Sequence, residues 1–311
     1  MQQSLPDGLY DQILTDELAS ELSKNFRDSE YTVAPLDAAS ATRRLADSLA
    51  DQLAGVLQEI GSGSPGDADP DSKVSRLQAQ LEFANTMLAD LQIRLAEQYP
   101  EKDYRANIRI LAKPAQNLAA IHRKNDRPTP PDTGLRAPWL FTAAKTSPAL
   151  LNELRHELGS SDRINILMSF ITVSGVRKIR DILELITALD GRGQSKAKLR
   201  VLTTTYIGAT EAQAVDELAK LPNCEVRISL DGRRTRLHAK AWIFERNSGF
   251  GTAYVGSANL TQAALAGGLE WTVKFGERGQ GSMFQQAQAQ FETLWHDTGI
   301  FSLRSCQLGA P

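Results

Sequence analysis

A histidine and a lysine one residue apart, His238 and Lys240, stand near the start of the stretch RLHAKAWIFERNSGFGTAYVGSANLTQAALAGGLEW at 236–271. Ser257 and Asn259 follow within Gly-Ser-Ala-Asn, and Glu270 stands alone between Leu269 and Trp271. These side-chain types suit cleavage of a phosphodiester. A neutral imidazole can attack phosphorus and carry the phosphoryl group covalently, dividing one difficult step into two. The Lys240 ammonium supplies a point charge for the non-bridging oxygens. Ser257 and Asn259 offer hydrogen bonds that tighten as charge builds in the five-coordinate transition state. A carboxylate on the second imidazole nitrogen would fix the tautomer, and Glu270 is the candidate. With lysine and backbone amides to meet the charge, the set calls for no metal ion and no cofactor. One role stays unfilled, because a single imidazole cannot both attack phosphorus and protonate the leaving oxygen.

His238 and Lys240 share a face if their segment is a strand, since residues two apart then point the same way. The expected hairpin is a strand LHAKAWIFE (237–245), a turn at ERNSGFG and a return strand GTAYVG (251–256) that delivers Ser257 and Asn259 beside the pair. Leu260–Leu265 then begins a helix whose free N–H groups would face an anion. Around the hairpin, RINILMSFIT (163–172), KLRVLTTTY (198–206), CEVRISL (224–230) and LEWTVKF (269–275) read as strands, with helices at 175–189, 211–221 and 281–296. Strands alternating with amphipathic helices imply an α/β fold, a mixed sheet sandwiched between helices. The first hundred residues differ in texture. Leu45, Leu49, Leu53 and Leu57, then Leu77, Leu81, Leu88, Leu91 and Leu95, recur at helical spacing. The expected organisation is a helical N-terminal region at 1–126 with a Gly/Pro/Ser/Asp-rich linker at 61–73, a Pro-rich linker at 127–138, and the α/β domain at 139–311.

HAK followed by GSANLT and GLEW resembles the HKD motif of the phospholipase D superfamily. The resemblance implies a PLD-like mixed sheet and a covalent phosphohistidine formed without metal, with His238, Lys240, Ser257, Asn259 and Glu270 as the site. Superfamily members with two motifs per chain pair them about a pseudo-twofold axis. This chain has a single H-x-K, and the single-motif nucleases of the superfamily form symmetric dimers. The implied acid is therefore His238 of a second copy. The motif's aspartate, five residues after the lysine, is Glu245 here; the resemblance gives that position the task of holding the hairpin. TTTYIGAT, the HAK-to-GSANLT stretch and GLEW also resemble the PLD-like nuclease domain at the N-terminus of bacterial superfamily-2 (DEAD/DEAH) helicases, ATP-dependent modification-directed restriction enzymes among them. That resemblance is strongest over 139–275. It implies a DNA endonuclease of a restriction or antiphage system and a helicase partner, fused or separate, because no Gly-x-x-x-x-Gly-Lys-Ser/Thr occurs in these 311 residues.

Charge is divided unevenly. Residues 1–100 carry 7 Lys/Arg against 17 Asp/Glu, and residues 101–311 carry 28 against 20. A basic second part suits a polyanion such as DNA, and Arg233, Arg234 and Arg236, directly ahead of the motif, are candidates for gripping its backbone. Thr203–Tyr206 end a strand near the site, with phosphate contact weighed against plain β-propensity. Trp242 and Trp271 read as core; His122, His156 and His296 read as solvated residues of charged helical segments. Cys224 and Cys306 form neither a disulfide framework nor a metal-ligand spacing, so a reducing cytoplasm is the expected compartment. No apolar run nears the roughly 18 residues that would span a bilayer, and no membrane partner is expected. Two alternatives stand beside the nuclease. One is a phospholipase of the same fold, which would need membrane-contacting apolar surface and usually two motifs. The other is a non-catalytic DNA-binding or docking module in which Glu245 marks a degenerate site and the acidic N-terminal region masks a basic groove.

Overall fold

The computed structural model describes residues 13–27, 30–62, 70–101, 110, 118–121, 127–142, 144, 148–205, 208–230, 237–266, 268–297 and 299–303. The chain divides into two compact units, Met1–Ala119 and Ala120–Pro311.

The first unit is helical, with α1 at Asp16–Asn25, α2 at Ala38–Gly61 and α3 at Pro70–Gln98. Thr15 caps α1 through an Oγ1 that accepts from Leu18 N at 3.2 Å. Proline suits the first helical position, where its missing N–H would have had no partner. Pro70 to Lys73, the end of the expected 61–73 linker, are accordingly the first turn of α3. α2 and α3 pack together, and Gln80 Nε2 donates to Leu57 O at 2.7 Å. None of the described residues of this unit is buried. Leu45, Leu49, Leu53, Leu77 and Leu91 are exposed. The leucine stripes therefore mark a helical face without a core of its own to enter.

The second unit begins with β1 at Trp139–Phe141, α4 at Leu150–Ser160, β2 at Arg163–Met168, α5 at Val173–Arg177 and α6 at Arg180–Thr187. It continues with β3 at Lys198–Thr204, α7 at Ala212–Ala219, β4 at Cys224–Ser229, β5 at Lys240–Glu245 and β6 at Thr252–Gly256. It closes with α8 at Gln262–Ala266, β7 at Thr272–Gly276, α9 at Gly281–Trp295 and β8 at Ile300–Leu303. All eight strands form one sheet in the order β1-β7-β6-β5-β2-β3-β4-β8. β2, β3 and β4 run parallel, and every other neighbouring pair is antiparallel. Alternation along the strands feeds two cores. On one face Ile164, Ile166, Val201, Trp242, Phe244 and Tyr254 meet Leu154, Leu158, Leu183 and Leu218 from the helices. On the other, Leu167, Leu202, Ile243, Ala253 and Phe275 meet Phe284, Phe291 and Trp295 of α9. This is the mixed sheet between helices that the alternating pattern calls for.

The helix expected at 175–189 is instead two, broken at Ile179, whose φ of −128° and ψ of 2° are not helical. β1 and β8 escape a sequence reading because three or four residues at a sheet edge are too few to show alternation. Part of the expected Pro-rich linker is bound to this unit. Thr133 donates through N and Oγ1 to the Glu153 carboxylate at 3.2 and 3.0 Å, and Lys274 Nζ donates to Thr133 Oγ1 at 2.7 Å. Beneath it, fully buried Glu157 accepts from Thr252 Oγ1 and Tyr254 OH, both at 2.8 Å, and from Arg246 Nη2. Burial lowers the Lys274 pKa and raises that of Tyr254, the latter helped by the Glu157 charge.

Candidate active site

β5 starts at Lys240, three residues later than expected, so His238 precedes the strand. Leu237 is buried, whereas His238 and Ala239 are exposed. Side chains behind the segment hold it. Ser169 Oγ donates to Ala239 O at 3.1 Å, Thr210 Oγ1 donates to Ser169 O at 3.2 Å, and Thr203 Oγ1 lies 3.3 Å from Thr210 Oγ1. Thr203 and Thr204 are 0% and 1% exposed, which keeps both from a phosphate; Thr203 supports the motif from within, whereas Thr204 Oγ1 donates to Ser229 O at 3.1 Å. Thr205 is exposed, and Tyr206 lies outside the described residues.

Lys240 pairs across the sheet with Met168 and is 7% exposed. Its Nζ donates to His238 O at 2.7 Å and stands 3.1 and 3.3 Å from the two ring nitrogens of His238. A ring nitrogen can accept from an ammonium only where it carries no proton. Phe170 closes one side: its ring lies 5.8 Å from Lys240 Nζ and meets the His238 ring edge-on at 5.9 Å. Burial lowers the Lys240 pKa, and the negative charge of Glu270 partly offsets that.

Asn259 is fixed by a contact across 89 residues, its Oδ1 accepting from Phe170 N at 3.2 Å. That bond commits the oxygen inward and leaves the Nδ2 amide as the donor, with no partner among the described residues. The helix start after it is less open than expected. Leu260 N bonds Phe170 O, Thr261 N bonds Asn259 O, and Ala264 N bonds Thr261 Oγ1 at 3.2 Å. These three N–H groups are already spent within the fold. Two glycines permit the close packing: a Cβ at Gly175 would strike the carbonyl of Leu260, and one at Gly256 the carbonyl of Trp271.

Ser257 and Glu270 are brought together, but away from the role foreseen for Glu270. Ser257 Oγ donates to Glu270 Oε2 and accepts from Trp271 N at 3.0 Å. Among the described residues Glu270 has no hydrogen bond to His238, and the serine proton points to the carboxylate. Trp242 is buried in the core, but Trp271 is 64% exposed, which corrects its reading as a core residue. Glu245 sits at the far end of β5, about 16 Å away at ~3.3 Å per residue. Its carboxylate accepts from Asn165 Nδ2 at 2.7 Å and pairs with Arg163 Nε at 3.4 Å, which ties β5 to β2. Arg233, Arg234, Arg236 and His122 lie outside the described residues. His296 is exposed and 3.5 Å from Glu292. His156 is half-buried rather than solvated, its Nδ1 buried without a partner among the described residues.

Ser169, Phe170 and Thr210 went unnoticed in the sequence. A signal existed for the first two. Thr172 and Gly175 form an N-cap pair, Gly175 N donating to Thr172 Oγ1 at 3.1 Å, which ends the preceding strand earlier than a 163–172 reading allows. Among the described residues no three His, Cys, Asp or Glu side chains converge as a metal-binding group, and no helix is long and apolar enough to cross a membrane.

Residues 154–295, within the second unit, match the family model described as the cardiolipin synthase, PLD-like domain. No curated protein matches the chain. Similar solved structures include NucT from Helicobacter pylori, at 18% identity and a TM-score of 0.41, covering 51% of this chain and 95% of that one. Nuc from Salmonella typhimurium, described as a phospholipase D family member, shows 16% identity and a TM-score of 0.37, covering 54% of this chain and 99% of that one. Polyphosphate kinase from Porphyromonas gingivalis shows 12% identity and a TM-score of 0.36, covering 50% of this chain and 22% of that one.

Proposed function

We propose that this PLD-like domain hydrolyses the phosphodiester bonds of DNA through a covalent phosphohistidine on His238, at a site completed by a second copy of the chain. The observation that carries the reading is the exposed His238 set against the ammonium of Lys240, whose side chain is otherwise buried in the fold. Burial lowers the Lys240 pKa, so keeping an ammonium there costs folding energy, and a phosphate is the ligand that would use it. A His238 nitrogen attacks phosphorus, and the N–P bond forms as the P–O bond to the leaving group breaks. The imidazolium of the second copy's His238 gives its proton to the leaving oxygen. Water then attacks phosphorus and passes its proton to that imidazole, and the N–P bond breaks. Lys240 Nζ and Asn259 Nδ2 meet the charge on the non-bridging oxygens. Ser257, with Glu270, positions the start of β7 beside them rather than touching phosphate.

The second copy supplies the second imidazole in this reading; its support is the single H-x-K of the chain, with neither His156 nor His296 in contact with the site among the described residues. The basic balance of residues 101–311 supports DNA as the polyanion. The proposal extends to a helicase-linked restriction or antiphage role in the cytoplasm, with the motor fused or separate; its support is the sequence resemblance of TTTYIGAT, the motif stretch and GLEW. The test is cleavage of plasmid and linear DNA by the purified protein in EDTA, alone and with its helicase. Cutting that His238→Ala abolishes is expected. Cutting that survives His238→Ala, or that needs added magnesium, refutes the mechanism.

A further inference from the structure

Away from the His238 motif, α4, α6 and the Pro-rich segment enclose a cavity of about 560 Å³. Residues three and four apart on a helix share a face, so Asn152, Arg155, His156 and Gly159 present one side of α4 to it. Ile182, Leu185 and Ile186 of α6 give it an apolar wall. Thr133, bonded to Glu153 of α4, anchors the segment that brings Arg127 to the cavity, and Lys196 reaches it from the approach to β3. The charged lining is of one sign: Arg127, Arg155 and Lys196 contribute, and no Asp or Glu does among the described residues. Arg155 is already paired. Its Nη1 and Nη2 donate to the Asp181 carboxylate at 2.7 and 2.5 Å, and Nη1 also donates to Lys178 O at 2.9 Å. The surplus charge therefore belongs to Arg127 and Lys196, both exposed.

Two further observations point to a ligand. His156 lines the cavity with its Nδ1 buried and without a partner among the described residues, whereas buried nitrogens are normally bonded. Glycine weakens a helix relative to alanine, yet neither a left-handed φ nor packing calls for it at Gly159. A Cβ there would meet Ile182 Cδ1 at an ordinary 3.5 Å. A longer side chain would fill the space, so the glycine keeps the cavity open. We propose that this cavity binds a small organic phosphate of nucleotide size. Sites for such molecules run to about 300–1,000 Å³ and join apolar walls to a few convergent polar groups. Arg127 and Lys196 meet the phosphate oxygens through charge-assisted bonds. His156 Nδ1, carrying a proton, donates one more, and the α6 wall takes the organic part. The site is separate from the motif. Gly159 and Lys196 come just before β2 and β3, whereas Lys240 pairs with Met168 at the other end of β2, about 16 Å away at ~3.3 Å per residue.

The test is isothermal titration calorimetry of the full chain with AMP, adenosine and inorganic phosphate. AMP should bind saturably, about tenfold more tightly than inorganic phosphate because its organic part is buried on α6, and more tightly than uncharged adenosine. Arg127→Gln and Lys196→Gln should each weaken AMP about tenfold, and Gly159→Leu should abolish its binding. His238→Ala should leave the affinity for AMP as it is. Thermal unfolding checks each variant; Arg127 and Lys196 are exposed, so their variants keep the test valid where Gly159→Leu does not fold. No binding of AMP, or binding that neither charge variant weakens, overturns the site. Binding lost in His238→Ala moves the ligand to the motif and overturns it equally. Inorganic phosphate or adenosine binding as tightly as AMP overturns the ligand class.

Discussion

Lys240→Met separates a residue kept for chemistry from one kept for the fold. Methionine matches the length and volume of lysine and removes only the charge and its donors. Burial lowers the Lys240 pKa below the ordinary 10.5 despite the pull of Glu270, so folding disfavours the charged form. Between that lowered value and 10.5 the unfolded chain binds more protons than the folded one, and this group makes stability rise with pH. Methionine abolishes that slope. It also loses the bond to His238 O, an exposed residue whose carbonyl can return to water, which limits the loss to about 1 kcal/mol. Replacing a buried charge with an apolar side chain is often neutral or stabilising by about 1–4 kcal/mol. The melting temperature should therefore hold or rise. Catalysis should suffer, because a positioned donor to a developing oxyanion contributes about 10²–10³ in rate, or ~2.7–4 kcal/mol. The assay is hydrolysis of bis(p-nitrophenyl) phosphate and of DNA in EDTA, beside thermal and urea unfolding. Activity within about threefold of wild type, combined with more than about 2 kcal/mol of lost stability, would show Lys240 to be structural and refute the reasoning.

Mixing wild type with equal His238→Ala protein, after subunit exchange, should leave about one quarter of the activity, since only wild-type pairs hold two imidazoles; one half would mean independent sites. Glu270→Gln removes the charge that raises the Lys240 pKa, so the ammonium loses its proton at lower pH. The alkaline limb of kcat/KM should move toward lower pH, and an unmoved limb would separate Glu270 from Lys240. Glu157→Ala leaves Arg246 and Lys274 buried without their shared carboxylate. Urea unfolding should show about 3–5 kcal/mol of lost stability, and a loss under 1 kcal/mol would mean that water or Glu153 takes over.

The sequence alone determined what depends on short-range periodicity. Alternation marked β2 to β7 closely enough to give the mixed sheet, and a spacing of two joined His238 to Lys240. The short run from Tyr254 to Asn259 had to end a strand near them. The tertiary structure decided what depends on contacts between distant segments. Phe170 fixes Asn259 across 89 residues, Ser169 braces Ala239 across 70, and Glu157 meets Tyr254 across 97. No local pattern encodes such pairs, because each partner is chosen by the packing of whole elements. The same packing took Glu270 to Ser257 and sank Thr203 while leaving Trp271 in water. Strand propensity cannot separate those last two outcomes: a threonine and a tryptophan both suit a pleated surface, and only the packing over each face decides, with Thr210 against Thr203 on the face of Val201 and Trp271 left exposed on the other.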